Sequence, residues 1–236
     1  MFQHNTAKVK LEGILFEGNV ARHGGGAICA WRTCLHISTS DFVNNTAYAG
    51  GAAEVIITTV SLSGVSKFLN NSASFFGGAI EAIDSSINMT GKQYFKWNSA
   101  EQGGALAFER DSKLTLADPL LAEFVDNKAK LYGGALFSDD NGQCTVSRYK
   151  EDCFIELSSI YTIQLKFINN IADRAGTVLF GGSLYRCRLY VGGGVRDSCG
   201  NRIEENYGYN PLDMLCLLYT SPSPRDATLS RMPSSA

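Results

Sequence analysis

Apolar and polar residues alternate in short runs along most of this 236-residue chain. Ile28/Ala30, Val55, Ile80/Ala82 and Leu106/Phe108 are the apolar positions of one recurring run, and the position between them reads Cys29, Glu54, Glu81, Ala107 and Phe137, which tolerates charge. A period of two puts one set against a core and the other outside. A second run of the same period follows in each unit, at Leu35/Ile37, Val60/Leu62, Ile87/Met89 and Leu114/Leu116, and a third leads into a recurring phenylalanine. Helical repeats would show a period of 3.6 instead, so three short strands per unit are predicted.

The units are copies of one another. Phe-x-x-Asn-x-Ala begins at Phe2, Phe16, Phe42, Phe68, Phe95, Phe124 and Phe167. Chance would give this motif about 0.1 times in such a composition. From Phe16 to Phe124 the spacings are 26, 26, 27 and 29 residues, the length of one solenoid coil. Most copies are followed by a glycine pair and an Ala-aliphatic step: Gly25-Gly26-Ala27-Ile28, Gly50-Gly51-Ala52-Ala53, Gly77-Gly78-Ala79-Ile80, Gly103-Gly104-Ala105-Leu106 and Gly133-Gly134-Ala135-Leu136. Ala175-Gly176-Thr177-Val178 reads as a decayed sixth. Each strand would lie beside its counterpart one repeat later and run the same way, so the sheets must be parallel. The predicted fold is all-β, a right-handed parallel β-helix of about six coils over residues 1–183, followed by a cap or domain junction at 184–214.

This fold gives the motif residues causes. Asn19, Asn45, Asn71, Asn98, Asn127 and Asn170 would stack at one corner about 4.8 Å apart, where an amide can bond both up and down the column. Phe16, Phe42, Phe68, Phe95, Phe124 and Phe167 would stack as core. The glycine pairs would supply positive φ at the next corner, and the alanine after them keeps the core narrow there. Ahead of the motif phenylalanines, Asp41 with Lys67 and Glu123 with Lys166 would pair across coils for about 0.2 to 1 kcal/mol each.

Tandem Gly-Gly-Ala-Ile and Phe-x-x-Asn over about residues 1–183 resemble the repeats of chlamydial polymorphic outer membrane proteins. The resemblance implies a β-helical passenger exported to the cell surface, a role in adhesion, and no catalytic residues. That family's signal peptide and C-terminal membrane barrel have no counterpart in this sequence, so secretion would make the chain a fragment. A eukaryotic surface protein is the alternative source.

Composition narrows the function further. A net charge of -2 and a pI near 5.9 offer no basic field for nucleic acid or anionic lipid. The apolar stretch from Leu212 to Tyr219 is interrupted by Asp213 and is far shorter than the roughly 20 residues that span a bilayer. Cys29 and Cys34, Cys144 and Cys153, and Cys187 and Cys199 form local pairs that predict disulfides in an oxidising compartment, with buried free thiols as the alternative and Cys216 left over. From about Cys216 the sequence resembles translated cDNA adaptor, so residues 215–236 are expected to be a non-native, disordered tail.

A search for chemistry finds little. Glu54 and Glu81 hold the same position in consecutive coils, about 5 Å apart, inside the range of retaining glycosidases. A pectate-lyase-like or glycosidase-like enzyme is therefore the rival reading, against two solvated surface glutamates. No Arg or Lys shares their column to stabilise developing charge. His4, His23 and His36 lack metal-ligand spacing, and neither a metal nor any other cofactor is predicted. The insert Ser138 to Asp152 stretches one phenylalanine spacing to 43 residues and predicts a loop. Its Asp139-Asp140-Asn141-Gly142 resembles a calcium loop in composition, but the glycine is misplaced and no glutamate follows at the needed spacing. Sequons stand at Asn44, Asn70 and Asn88, and Trp31 and Trp97 are expected to be exposed, either stacking on sugar rings or packing at coil edges. The expectation is a non-catalytic extracellular scaffold that presents loops to a surface protein or glycan, with neighbouring coils or domains as its other contacts.

Overall fold

The structure, a computed structural model, describes residues 7–139, 155–157, 163–174 and 176–181. Among them all regular structure is β-strand, and the strands wind into a parallel solenoid. One sheet lies beyond each glycine pair and stacks Ile28–Trp31, Ala53–Ile56, Ile80–Ile83, Leu106–Glu109, Leu136–Asp139 and Leu179–Gly181 in order. A ten-stranded sheet carries the next two sequence runs. In early coils these are separate strands, such as Thr59–Ser63 and Val65–Leu69; in later coils they fuse into Ser86–Lys96 and Lys113–Val125. The third sheet is narrow, made of short strands such as Thr46–Ala47 and Ser72–Ala73 just past each motif asparagine. Three sheets per coil were expected, but the second and third runs turn out to be halves of one, and the narrow sheet was too short to show as a run.

Register follows the repeat. Phe16 pairs with Phe42, Phe42 with Phe68, Phe68 with Phe95, Phe95 with Phe124 and Phe124 with Phe167. Their rings stack nearly parallel, with centroids 4.7 to 5.0 Å apart. From Phe42 to Phe124 they are at most 1% exposed. Each such ring removes about 1.5 to 3 kcal/mol of apolar surface from water. Ile37, Leu62, Met89, Leu116 and the small residues Ala52, Ala79, Ala105 and Ala135 complete the core. The longer spacing before Phe124 is absorbed where Met89 pairs with Leu116 and Gly91 with Leu120, leaving Asp118 and Pro119 exposed.

One expected boundary moves. Ser138 is buried and paired with Phe108, and Asp139 with Glu109, so the insert begins after Asp139 rather than at Ser138. Ala7–Glu12 pairs with Thr33–Ser38, and the first motif phenylalanine, Phe2, lies outside the described residues. The rest of the insert, the 184–214 cap, the 215–236 tail and Cys144, Cys153, Cys187 and Cys199 lie outside the described residues.

The asparagine column is a continuous ladder. Asn71 Oδ1 accepts from both the Asn45 backbone N–H and Asn45 Nδ2 at 3.0 Å, while Asn71 Nδ2 donates to Asn98 Oδ1 and the Phe42 carbonyl at 3.0 Å. Asn45, Asn98 and Asn127 repeat the arrangement, and Asn170 accepts from Asn127. All from Asn45 onward are buried, and Asn19 at the start is exposed. Each interior amide thus uses both hydrogens and both lone pairs, which is what burial demands of it.

The glycine pairs divide their labour, contrary to the expectation that both supply positive φ. Only the first of each pair, Gly25, Gly50, Gly77, Gly103 and Gly133, lies there. The second is excluded from carrying a side chain by the neighbouring coil: a Cβ on Gly26, Gly51, Gly78 or Gly104 would strike the carbonyl oxygen of the next second glycine, and on Gly134 that of Thr177. Leu136 pairs with Leu179, so Gly176 (φ 70°) corresponds to Gly133 and Thr177 to Gly134. The decayed sixth step is therefore one residue later than the sequence reading placed it.

A second ladder was not foreseen. Thr33, Thr58, Ser85 and Ser112 are buried one above another, after turns at Arg32, Ile57, Asp84 and Arg110 that all have positive φ. The Thr58 N–H donates to Ser85 Oγ at 2.9 Å and the Ser85 N–H to Ser112 Oγ at 3.0 Å. The hydroxyls in turn point back to carbonyls, as Ser85 does to Ile83 at 2.7 Å.

Asn71→Ala should lower stability by about 1 to 3 kcal/mol, because buried donors and acceptors in both neighbouring coils lose their partner. Asn19→Ala, at an exposed end, should cost less than about 1 kcal/mol. Urea unfolding followed by circular dichroism compares them, and equal midpoints would refute the buried ladder. By the same measurement, Ser85→Ala should cost about 1 to 3 kcal/mol, since it strands the Thr58 N–H, while Ser61→Ala on the outer face of the ten-stranded sheet should stay within about 0.5 kcal/mol of the parent.

Candidate functional site

The outer face of the sheet beyond the glycine pairs carries acidic side chains on three successive strands. Cys29 pairs in register with Glu54 and Glu54 with Glu81, as the repeat predicts. Glu109 joins them from the next strand: Glu81 faces Ala107, and the alanine is small enough for Glu109, two residues along on the same face, to reach Glu81 diagonally. The sequence reading missed Glu109 because it looked for acids only at strictly equivalent positions. The signal was there in the alanine at Ala107, which opens a diagonal.

Glu81 is not the solvated surface glutamate that was expected. It is 2% exposed, and its Oε2 has no partner as an ionised group. Burial, reinforced by the carboxyls of Glu109 and Glu54, pushes its pKa up to about 9. Glu81 is therefore a protonated acid at neutral pH, with one O–H to offer a neighbouring carboxylate. The half-buried Glu54 folds back over Gly24, where a Cβ would collide with its carboxyl group. Its Oε2 accepts from Cys29 Sγ at 3.4 Å. Burial and that contact raise the Cys29 thiol pKa as well.

Aromatic rings flank this column. Phe76, which precedes a glycine pair, stacks on Phe137 at 5.8 Å across the coil that holds Ala107. The row continues from Phe137 to Phe180 at 5.9 Å and to Tyr132, and on the other side through Phe75 to the exposed Tyr48. As a chemical arrangement the column pairs a proton-bearing carboxyl with a second carboxyl on the next strand. The acid, however, is buried, while Glu54 is half-buried. Among the described residues no group of three or more His, Cys, Asp or Glu is placed to hold a metal ion.

Other foreseen residues fall as follows. Cys29 and Cys34 are free thiols, not a disulfide: Cys29 points outward from one sheet and Cys34 outward from another, with the Arg32 turn between them. Lys67 meets Asp41 at 3.2 Å and Lys166 meets Glu123 at 3.4 Å, as the register required. Lys96 also reaches Glu123 at 3.0 Å. Burial opposes the Glu123 charge, but the two lysines outweigh it and hold its carboxyl below the usual range. Trp31 and Trp97 are exposed, and Arg32 lies over the Trp31 ring at 4.8 Å, so that face is already occupied by a cation. Asn44 and Asn70 take equivalent exposed turns with positive φ, and Asn70 Nδ2 donates to Asn44 Oδ1 at 2.8 Å. Asn88 is half-buried on the ten-stranded sheet.

Comparison with known proteins adds one finding. No curated protein and no solved structure matches the chain significantly. The family model of the Chlamydia polymorphic membrane protein (Chlamydia_PMP) repeat does match, over residues 13–30, a stretch that contains Phe16, Asn19 and the Gly25-Gly26 pair of one coil.

Proposed function

We propose that this chain is a non-catalytic scaffold of the cell surface, a rigid solenoid that presents loops for adhesion to a surface protein or glycan. The observation that carries the reading is the coil itself: one coil matches the polymorphic membrane protein repeat over residues 13–30, and the residues that recur from coil to coil are consumed in stacking, not aimed at a ligand. Phenylalanines, asparagines and glycines serve the interior, and what varies from coil to coil lies outside. The bacterial outer surface is the location this reading favours.

Carbohydrate cleavage finds no support in the geometry. The acid of the Glu54–Glu81 pair is buried, and a retaining mechanism needs both carboxyls against the sugar.

Beads coated with the protein should bind cultured cells, and soluble protein should compete that binding away; equal binding by beads coated with an unrelated solenoid would overturn the adhesive reading. Pectin, hyaluronan and chitin should all remain uncut. Cleavage that disappears in Glu54→Gln or Glu81→Gln would instead establish the enzyme.

A further inference from the structure

We propose that the outer carboxyl column is an acid-stabilised lock on three neighbouring coils, in which Glu81, set between the carboxyls of Glu54 and Glu109, holds one proton. The geometry is that of three strands in one sheet. Ala53–Ile56, Ile80–Ile83 and Leu106–Glu109 each contribute one acid to the same outer face. With all three ionised, like charges would face each other in a sheet whose neighbours are about 4.8 Å apart, and Glu81 Oε2 would be buried without a partner. One proton on Glu81 removes a charge from the centre of the column and supplies one donor to a facing carboxylate.

Among the described residues, the charged groups that act on Glu81 are acids. Glu109 and Glu54 act on it directly, from the strands on either side. Cys29, one strand further, donates to Glu54 and brings no positive charge. Arg110, next along from Glu109, is engaged with Asp84 at 3.1 Å. Elsewhere the chain solves the same problem with cations, as Lys96 and Lys166 do for Glu123. Here the proton takes the place of the lysine.

The direction of the pH effect follows from proton counting. Unfolded, Glu81 loses its proton above the ordinary value of 4.5; folded, it keeps it up to about 9. Between these limits the folded chain holds one more proton than the unfolded chain, so stability falls as pH rises and is fully present only below the lower limit. The folding equilibrium constant should change by up to about tenfold per pH unit from this one group. A surface scaffold built this way tightens when its surroundings acidify.

The test compares wild type with Glu81→Gln, which keeps the shape and a donor but cannot titrate. Urea midpoints are measured from about pH 5 to about pH 9, and subtracting the two curves removes every other titrating group. Near pH 5 the midpoints should nearly coincide. Towards pH 9 the glutamine variant should become progressively more stable than wild type. A difference that does not change with pH would overturn the lock. Should Glu81→Gln not fold, two further readings decide. Glu54→Gln, which removes one neighbouring charge, should lower the pH at which the loss of stability levels off. Wild type at neutral pH should show the infrared C=O stretch of a protonated carboxyl in its native state. An unshifted upper limit or a missing band would each overturn the proposal.

Discussion

Everything in this molecule depends on the spacing between hydrogen-bonded parallel strands. Because each coil lies directly on the last, every residue has its own equivalent about 4.8 Å above and below it. A side chain is therefore acceptable only if it can be stacked on what the next coil puts at that position. Phenylalanine meets the condition with flat rings, whose 4.7 to 5.0 Å centroid distances are the coil spacing itself. Asparagine meets it because an amide is donor on one side and acceptor on the other, so a column of identical residues is also a column of hydrogen bonds. The second glycine of each pair meets it by having no side chain at all, since the carbonyl of the neighbouring coil occupies the space a Cβ would need.

Charge is the one property that cannot be stacked on itself. The chain handles this in two ways that the structure sets side by side. In front of the motif phenylalanines, opposite signs alternate between coils, and Glu123 is held between Lys96 and Lys166. Beyond the glycine pairs the described groups that act on Glu81 are themselves acids, and the burial of Glu81 leaves a neutral carboxyl as the cheaper state. The same spacing that makes asparagine a ladder makes a row of glutamates into a proton trap.

Much of this was legible in the sequence because stacking turns a three-dimensional rule into a one-dimensional period. The asparagine and phenylalanine columns, the parallel direction and the Asp41–Lys67 and Glu123–Lys166 pairs all follow from counting about 26 residues forward. What was missed lies where counting alone is not enough. The hydroxyl ladder of Thr33, Thr58, Ser85 and Ser112 recurs with the coil, but serine and threonine are common and the column mixes both. Glu109 reaches Glu81 off the period, through the gap left by Ala107. The burial of Glu81 depends on what packs around the outer face, and the expected Cys29–Cys34 bridge ignored a turn that sends the two side chains out from different sheets. Side chains facing the core are fixed by the repeat; those facing outward are fixed by their particular neighbours.

The insertion shows how the coil tolerates added chain length. Between Phe124 and Phe167 the chain adds a long detour, yet Asn127 Nδ2 still donates to Asn170 Oδ1 at 2.9 Å and the two rings still stack at 5.0 Å. The strands on either side of the detour resume pairing in register, Leu114 with Ile155 and Leu120 with Ile163. Closing a longer loop between fixed ends costs little, about 0.6 kcal/mol for each doubling of length. The coil energy is gathered at the stacked positions, which the insertion leaves untouched. Loop length and loop sequence can therefore change at a turn without altering the interior, so any binding specificity is free to vary coil by coil while the ladders hold the register.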